Sequence, residues 1–114
     1  MQLMDQKRIV RSFIALALAL CAPLAEASVS RTGTIQIMHS PDSRPCFFFT
    51  LDGVPIADST IHTTSPWFAI AQTAINYKEV VALVLFARAN GVPITATTSG
   101  GGACGLAEVG SVEL

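Results

Sequence analysis

From Tyr77 to Ala89 the sequence runs thirteen residues without glycine or proline, and this stretch constrains the fold more than any other. Asn76 precedes it with Glu79 three places later, the form of an N-cap with its reciprocal acceptor. Arg88 lies in the last turn, where a cation suits the helix dipole, and Gly91 is placed to end the segment. Together these signals predict one helix. Residues 80–87, Val-Val-Ala-Leu-Val-Leu-Phe-Ala, carry no polar side chain. A helix packed on one barrel needs an apolar stripe of little more than about 100°, so part of this surface is expected to meet a second subunit, the alternative being that loops, chiefly residues 54–66, fold over it and leave a monomer.

The segments around the helix change period. Gly33 to His39 (GTIQIMH) sets Ile35 and Ile37 against Thr34, Gln36 and Met38, the alternation of a half-buried strand. Ser40 to Pro45 has turn chemistry. Cys46 to Leu51 (CFFFTL) is aromatic and β-prone and ends at Asp52-Gly53, and Trp67 to Ala71 (WFAIA) is a third short apolar run. After the helix, Val92 to Thr98 returns to β-branched alternation, Ser99 to Gly105 is expected to be a glycine-rich loop, and Leu106 to Leu114 closes the chain as a last strand. Three strands, one helix and two strands is the order of a five-stranded Greek-key OB-fold barrel, all-β with one helix between strands three and four.

At the N-terminus, Lys7, Arg8 and Arg11 precede an uncharged apolar run from Phe13 to Ala22, closed by Pro23. That is signal-peptide order, and the run is shorter than the roughly 20 residues a membrane-spanning helix needs. Ala25-Glu26-Ala27 supplies the small residues of a cleavage site, so residues 1–27 are expected to be removed. This leaves one domain, residues 28–114, in the periplasm or outside the cell, with no membrane span. In that domain four cations, Arg31, Arg44, Lys78 and Arg88, face six acids, giving a charge of −2. Its two cysteines, Cys46 and Cys104, are expected to pair in an oxidising compartment, the alternative being free reactive thiols.

The runs Gly33-Thr34-Ile35-Gln36-Ile37, Cys46-Phe47-Phe48-Phe49 with Asp52-Gly53, Trp67-Phe68-Ala69-Ile70, and Arg88-Ala89-Asn90-Gly91-Val92-Pro93-Ile94 resemble the OB-fold B subunits of subtilase-type AB5 toxins and their small exported relatives. The resemblance implies a disulfide-containing pentamer that binds cell-surface glycans, commonly sialylated, without catalysis of its own, and that has an A-subunit-like partner protein. It also implies that a hydroxyl residue before the first-strand glycine holds the sugar, which here is Thr32. The acidic residue that takes part a few positions upstream in that family is absent between Ser28 and Thr32, and its fourth-strand aromatic is absent from Ile94 to Thr98.

Little else in the sequence points to catalysis. His39 and His62 are the only histidines, neither at metal-ligand spacing, and no nucleophile elbow, phosphate loop or paired carboxylates appear. His39, in phase with Ile35 and Ile37, reads as an ordinary strand histidine, and His62 as a solvated loop residue. Asp52 and Asp58 read as turn formers. The expectation is therefore a non-enzyme with no cofactor and no metal. Phe47 to Phe49 could suggest base stacking, but a net-negative domain with scattered cations lacks the basic groove nucleic acid requires. Trp67 and Tyr77, the only tryptophan and tyrosine, are candidate sugar platforms, although each could instead be core. The polar loop Ser40, Asp42, Ser43 and Arg44 could read a ligand or simply be a solvated turn. Two functions fit this pattern: an exported binding module of the toxin B-subunit kind, or a periplasmic structural or protein-interaction domain of an envelope assembly.

Overall fold

A computed structural model describes residues 28–114; the expected export segment, residues 1–27, lies outside the described residues. The chain is mostly β with one helix: β1 (Ser30–Gly33), β2 (Ile35–His39), β3 (Cys46–Leu51), β4 (Phe68–Ala71), α1 (Tyr77–Asn90), β5 (Ile94–Ala103) and β6 (Leu106–Glu113). All six strands form one sheet in the order β1-β5-β6-β4-β3-β2. Every pair is antiparallel except β4 with β6. The hydrogen-bonded ladder does not close, yet its two edge strands, β1 and β2, are consecutive in the chain with only Thr34 between them. The sheet must therefore curl until its edges meet at that residue.

Six strands stand where five were expected because the first one starts earlier and breaks at Thr34. Gly33 makes the break possible. A Cβ there would lie 2.8 Å from the Asp52 carbonyl oxygen, a distance side chains do not tolerate, while the Asp52 N–H donates to Thr34 O at 2.8 Å. The chain thus passes closely over the end of β3. The expected alternation in β2 also fails. A register shift between Ile35 and Ile37 leaves Ile35 buried, exposes Ile37 and turns Met38 toward the core, as a β-bulge does by placing an extra residue on one strand.

The helix begins and ends within a residue of its expected bounds, but it is capped differently at its start. The Asn76 side chain makes no capping bond; its Nδ2 donates to Gly110 O at 3.0 Å and ties the helix entry to β6. At the other end Gly91 takes a left-handed conformation, φ 63°, with its N–H donating to Arg88 O and the Val92 N–H to Ala87 O. These two bonds form a Schellman motif. Ser99 to Gly105, expected as a loop, is largely strand: β5 continues to Ala103, and only Cys104 and Gly105 turn. Both have positive φ, 52° and 77°, which suits the tight turn of a two-residue hairpin. The glycines are accommodated by register shifts between Thr97 and Gly102.

The main core lies inside the curl. Phe47, Phe49 and Leu51 from β3, Phe68 and Ile70 from β4, and Val80, Val84 and Ala87 from α1 are buried together, with Phe49 and Phe68 stacked at 5.1 Å. Asp58 holds the 54–66 connection in place. Although buried, its carboxylate accepts from the Thr60 N–H (3.0 Å), the Thr60 hydroxyl (2.6 Å) and the Thr98 hydroxyl (2.9 Å). Asp58 is therefore an anchor between this connection and β5 as well as a turn former. Arg88 covers the β2 edge, its Nη1 donating to Ile35 O at 2.7 Å and Gln36 O at 3.2 Å, so that edge offers less free backbone to a stray strand.

Candidate functional site

Successive residues of a strand point to opposite faces, and β3 is buried on both. Phe47 and Phe49 face the main core, whereas Cys46 and Phe48 face outward into a second, smaller cluster with Ala69 and Ala103, partly covered by Trp67, Cys104 and Leu106. The expected disulfide joins Cys46 to Cys104. It fastens the β5–β6 turn against β3, and the parallel pairing of Phe68 with Ala107 sets Leu106 beside Trp67.

Above Phe48 is a pocket of about 180 Å³ lined by His39, Arg44, Phe48, Trp67 and Leu106. Trp67 and His39 both meet the Phe48 ring edge-on, with centroids at 6.5 Å and 6.0 Å. The Arg44 guanidinium lies over the same ring, 4.3 Å from its centre, a cation–π contact. The turn before β3 builds this arrangement. Asp42 accepts from the Arg44 backbone N–H at 2.8 Å, from its Nε at 3.2 Å and from its Nη2 at 2.9 Å, so a two-pronged ion pair sets the angle of the guanidinium. Hydrogen bonding from Arg44 holds the Asp42 carboxyl well below the usual carboxylate range and pushes the Arg44 guanidinium up. The pair is exposed and contributes little to stability, but it fixes geometry. His39 Nδ1 lies 2.6 Å from Ser40 O; a carbonyl only accepts, so this nitrogen carries the proton.

The three residues anticipated as ligand contacts are distributed over different places. Trp67 lines the pocket, with its backbone N–H donating to Ser65 Oγ at 3.2 Å. Thr32 is exposed on β1, its hydroxyl hydrogen-bonded to that of Thr95 at 2.8 Å, two register positions from a matching Ser30–Thr97 pair. Tyr77 packs at the start of α1 against the main core. The pocket instead adds His39, Arg44 and Leu106. Of these, Arg44 belongs to the polar loop already open to a ligand role, and its cue is the Asp42–Arg44 spacing in a turn followed by an aromatic strand. His39 is exposed because the β2 bulge has shifted its phase. Leu106 comes near through the parallel pairing of β6 with β4, which registers Phe68 with Ala107, and no local pattern announces it.

Among the described residues no group of three or more His, Cys, Asp or Glu is placed to hold a metal ion, and no helix is long and apolar enough to cross a membrane. No family model, curated protein or solved structure matches the chain.

Proposed function

We propose that this protein is an exported, non-catalytic binding module whose ligand site is the Trp67 pocket, and that its ligand is a cell-surface glycan. The observation that carries the reading is an outward-facing aromatic pocket on a buried strand, bordered by a fixed Arg44–Asp42 pair. Aromatic rings take the apolar face of a sugar, and planar charged groups take its hydroxyls; convergent polar groups in an apolar hollow are the general form of a small-ligand site. Its lining residues include no nucleophile paired with a base, which supports a binding role over catalysis. A disulfide is compatible with a periplasmic or secreted location. If β1 and β2 are counted as one bent strand, the order 1-4-5-3-2 supports a five-stranded Greek-key barrel of the OB kind, the fold of the toxin B subunits that the sequence resembles.

The experiment is a glycan array probed with the exported protein and with Trp67→Ala. Retention of the first and loss of the second supports the reading. Retention of neither on any glycan overturns it.

A second reading, an interaction domain within an envelope assembly, is favoured by one observation: α1 leaves Leu85 and Phe86 46% and 54% exposed. Such a surface suits a protein partner or further copies of this chain, and the toxin resemblance suggests a pentamer. Co-purification with an envelope complex would favour this role.

A further inference from the structure

The Arg44–Asp42 pair decides which kind of sugar the pocket can hold. A carboxylate ligand is recognised best by two parallel N–H groups of one guanidinium. In this protein the Nε and one N–H of Nη2 of Arg44 are already on Asp42, at 3.2 Å and 2.9 Å, so one edge of the guanidinium is occupied and its charge is already compensated, and an acidic sugar at the remaining edge meets the Asp42 charge beside it. The two N–H groups of Nη1 and the second of Nη2 are left without a partner among the described residues. The other polar groups of the lining are the Trp67 indole N–H and His39, whose Nδ1 is engaged with Ser40 O; in the neutral imidazole Nε2 remains as an acceptor. Free guanidinium donors and one free acceptor on the same small hollow match adjacent hydroxyls, each of which can both give and take a hydrogen bond. A flat apolar ligand would leave them unpaired. A cationic ligand would compete with the guanidinium already lying on the Phe48 face. Size narrows the choice further: about 180 Å³ is below the roughly 300 Å³ at which drug-sized pockets begin, so a single ring fits.

We infer that the Trp67 pocket takes one uncharged pyranose residue, apolar face toward Trp67 and Leu106 and vicinal hydroxyls toward Arg44 and His39, and that it does not take a sialic acid. This rests on the reading of the pocket as a glycan site.

Trp67 is the only tryptophan of the chain, so its fluorescence reports on this pocket alone. The exported protein, disulfide intact, is titrated with the methyl glycosides of glucose, galactose and mannose and, separately, with the methyl glycoside of N-acetylneuraminic acid. At least one neutral glycoside is expected to shift the emission saturably with a dissociation constant on the order of 1 mM, as suits a ligand of about a dozen atoms, while the sialoside leaves it unchanged. Arg44→Lys keeps the charge but loses the planar fork, and is expected to weaken the neutral sugar at least about tenfold with an unchanged melting temperature, since the pair is exposed. A sialoside that saturates at equal or lower concentration overturns the inference while the glycan reading stands. Neutral glycosides that stay silent while the array retains the protein through Trp67 have the same effect. Array binding that survives Trp67→Ala overturns both, as does silence in every arm.

Discussion

The two faces of β3 are equally buried and differently built. Inward, Phe49 is stacked on Phe68 and roofed by Val80, Val84 and Ala87 of the helix. Outward, Phe48 has only edge contacts to Trp67 and His39, an arginine laid over it, and a disulfide beside it. Both phenylalanines are about fully buried, so burial alone does not separate a core from a site. The nature of the cover does: an entire helix on one side, single movable side chains on the other. A pocket can exist only where the cover is partial.

Truncation should expose that difference. Phe49→Ala opens a cavity beneath the helix and is expected to cost about 5 kcal/mol, whereas Phe48→Ala, where Trp67 and Arg44 can settle inward, should cost about 3 kcal/mol; both lie within the usual range for buried phenylalanine. Urea denaturation of the two variants measures this. Equal losses would mean that the outer cluster is as fixed as the inner one.

Between these values falls the disulfide. Cys46 and Cys104 are 58 positions apart, and the chain-entropy account puts a bridge of that span at about 4 kcal/mol. Replacing both with alanine should lower the urea midpoint accordingly. Because the bridge holds the β5–β6 turn, with Cys104, against the Phe48 side of β3, the variant should also lose the Trp67 response to a glycoside under conditions where it remains folded. Persistence of that response would show that the outer cluster holds itself together.

Much of this could be read from the residues, and the rest fails for local reasons. The helix and its Gly91 stop, the aromatic β3 and the cysteine pair follow from composition and spacing. β1 does not, because Ser30-Arg31-Thr32-Gly33 has no apolar residue; its strand character comes from pairing with β5, where Ser30 and Thr32 meet Thr97 and Thr95 through their hydroxyls. Ser99 to Ala103 looks like a loop because glycine is common in loops, yet its partner β6 holds it in the sheet. The site suffered most from the β2 bulge, which displaces His39 from the phase that an unbroken strand would give it. Trp67 was legible by type, while Arg44 and Leu106 needed the turn and the pairing of β6 with β4 to be placed in space.

A smaller effect tests the connection that spans residues 54–66. Burial alone would raise the Asp58 carboxyl, but the Thr60 hydroxyl and N–H, the Thr98 hydroxyl and the positive Arg31 together hold it below the usual carboxylate value. A group depressed in the folded state stabilises above its unfolded pKa, near about 4, and that contribution is lost as pH falls through the folded value. The unmutated protein should therefore weaken below about pH 4. Asp58→Ala should cost about 2 kcal/mol at neutral pH by leaving the Thr98 and Thr60 donors unpaired, and its stability should fall less steeply over the acid window. Parallel pH profiles for the two proteins would remove Asp58 from the account.

The smallest expected change in stability comes from the outer side of the helix that roofs the inner face of β3. Leu83 packs partly against the main core, while Phe86, three residues on, is 54% exposed. Introducing glutamate at the two positions should separate folding from association. Leu83→Glu places a charge against apolar side chains and should unfold the domain, since an unpaired charge is not tolerated there. Phe86→Glu meets water on its own chain and should alter unfolding by no more than about 0.5 kcal/mol, as surface substitutions do. If the exposed helix face joins subunits, however, every copy would bring a like charge to the same contact, and symmetric assembly would multiply the repulsion. Light scattering at micromolar concentration should then find the unmutated protein assembled and Phe86→Glu monomeric, with identical circular dichroism. A monodisperse monomer of the unmutated protein would remove the oligomer and leave Leu85 and Phe86 as a surface for a different protein.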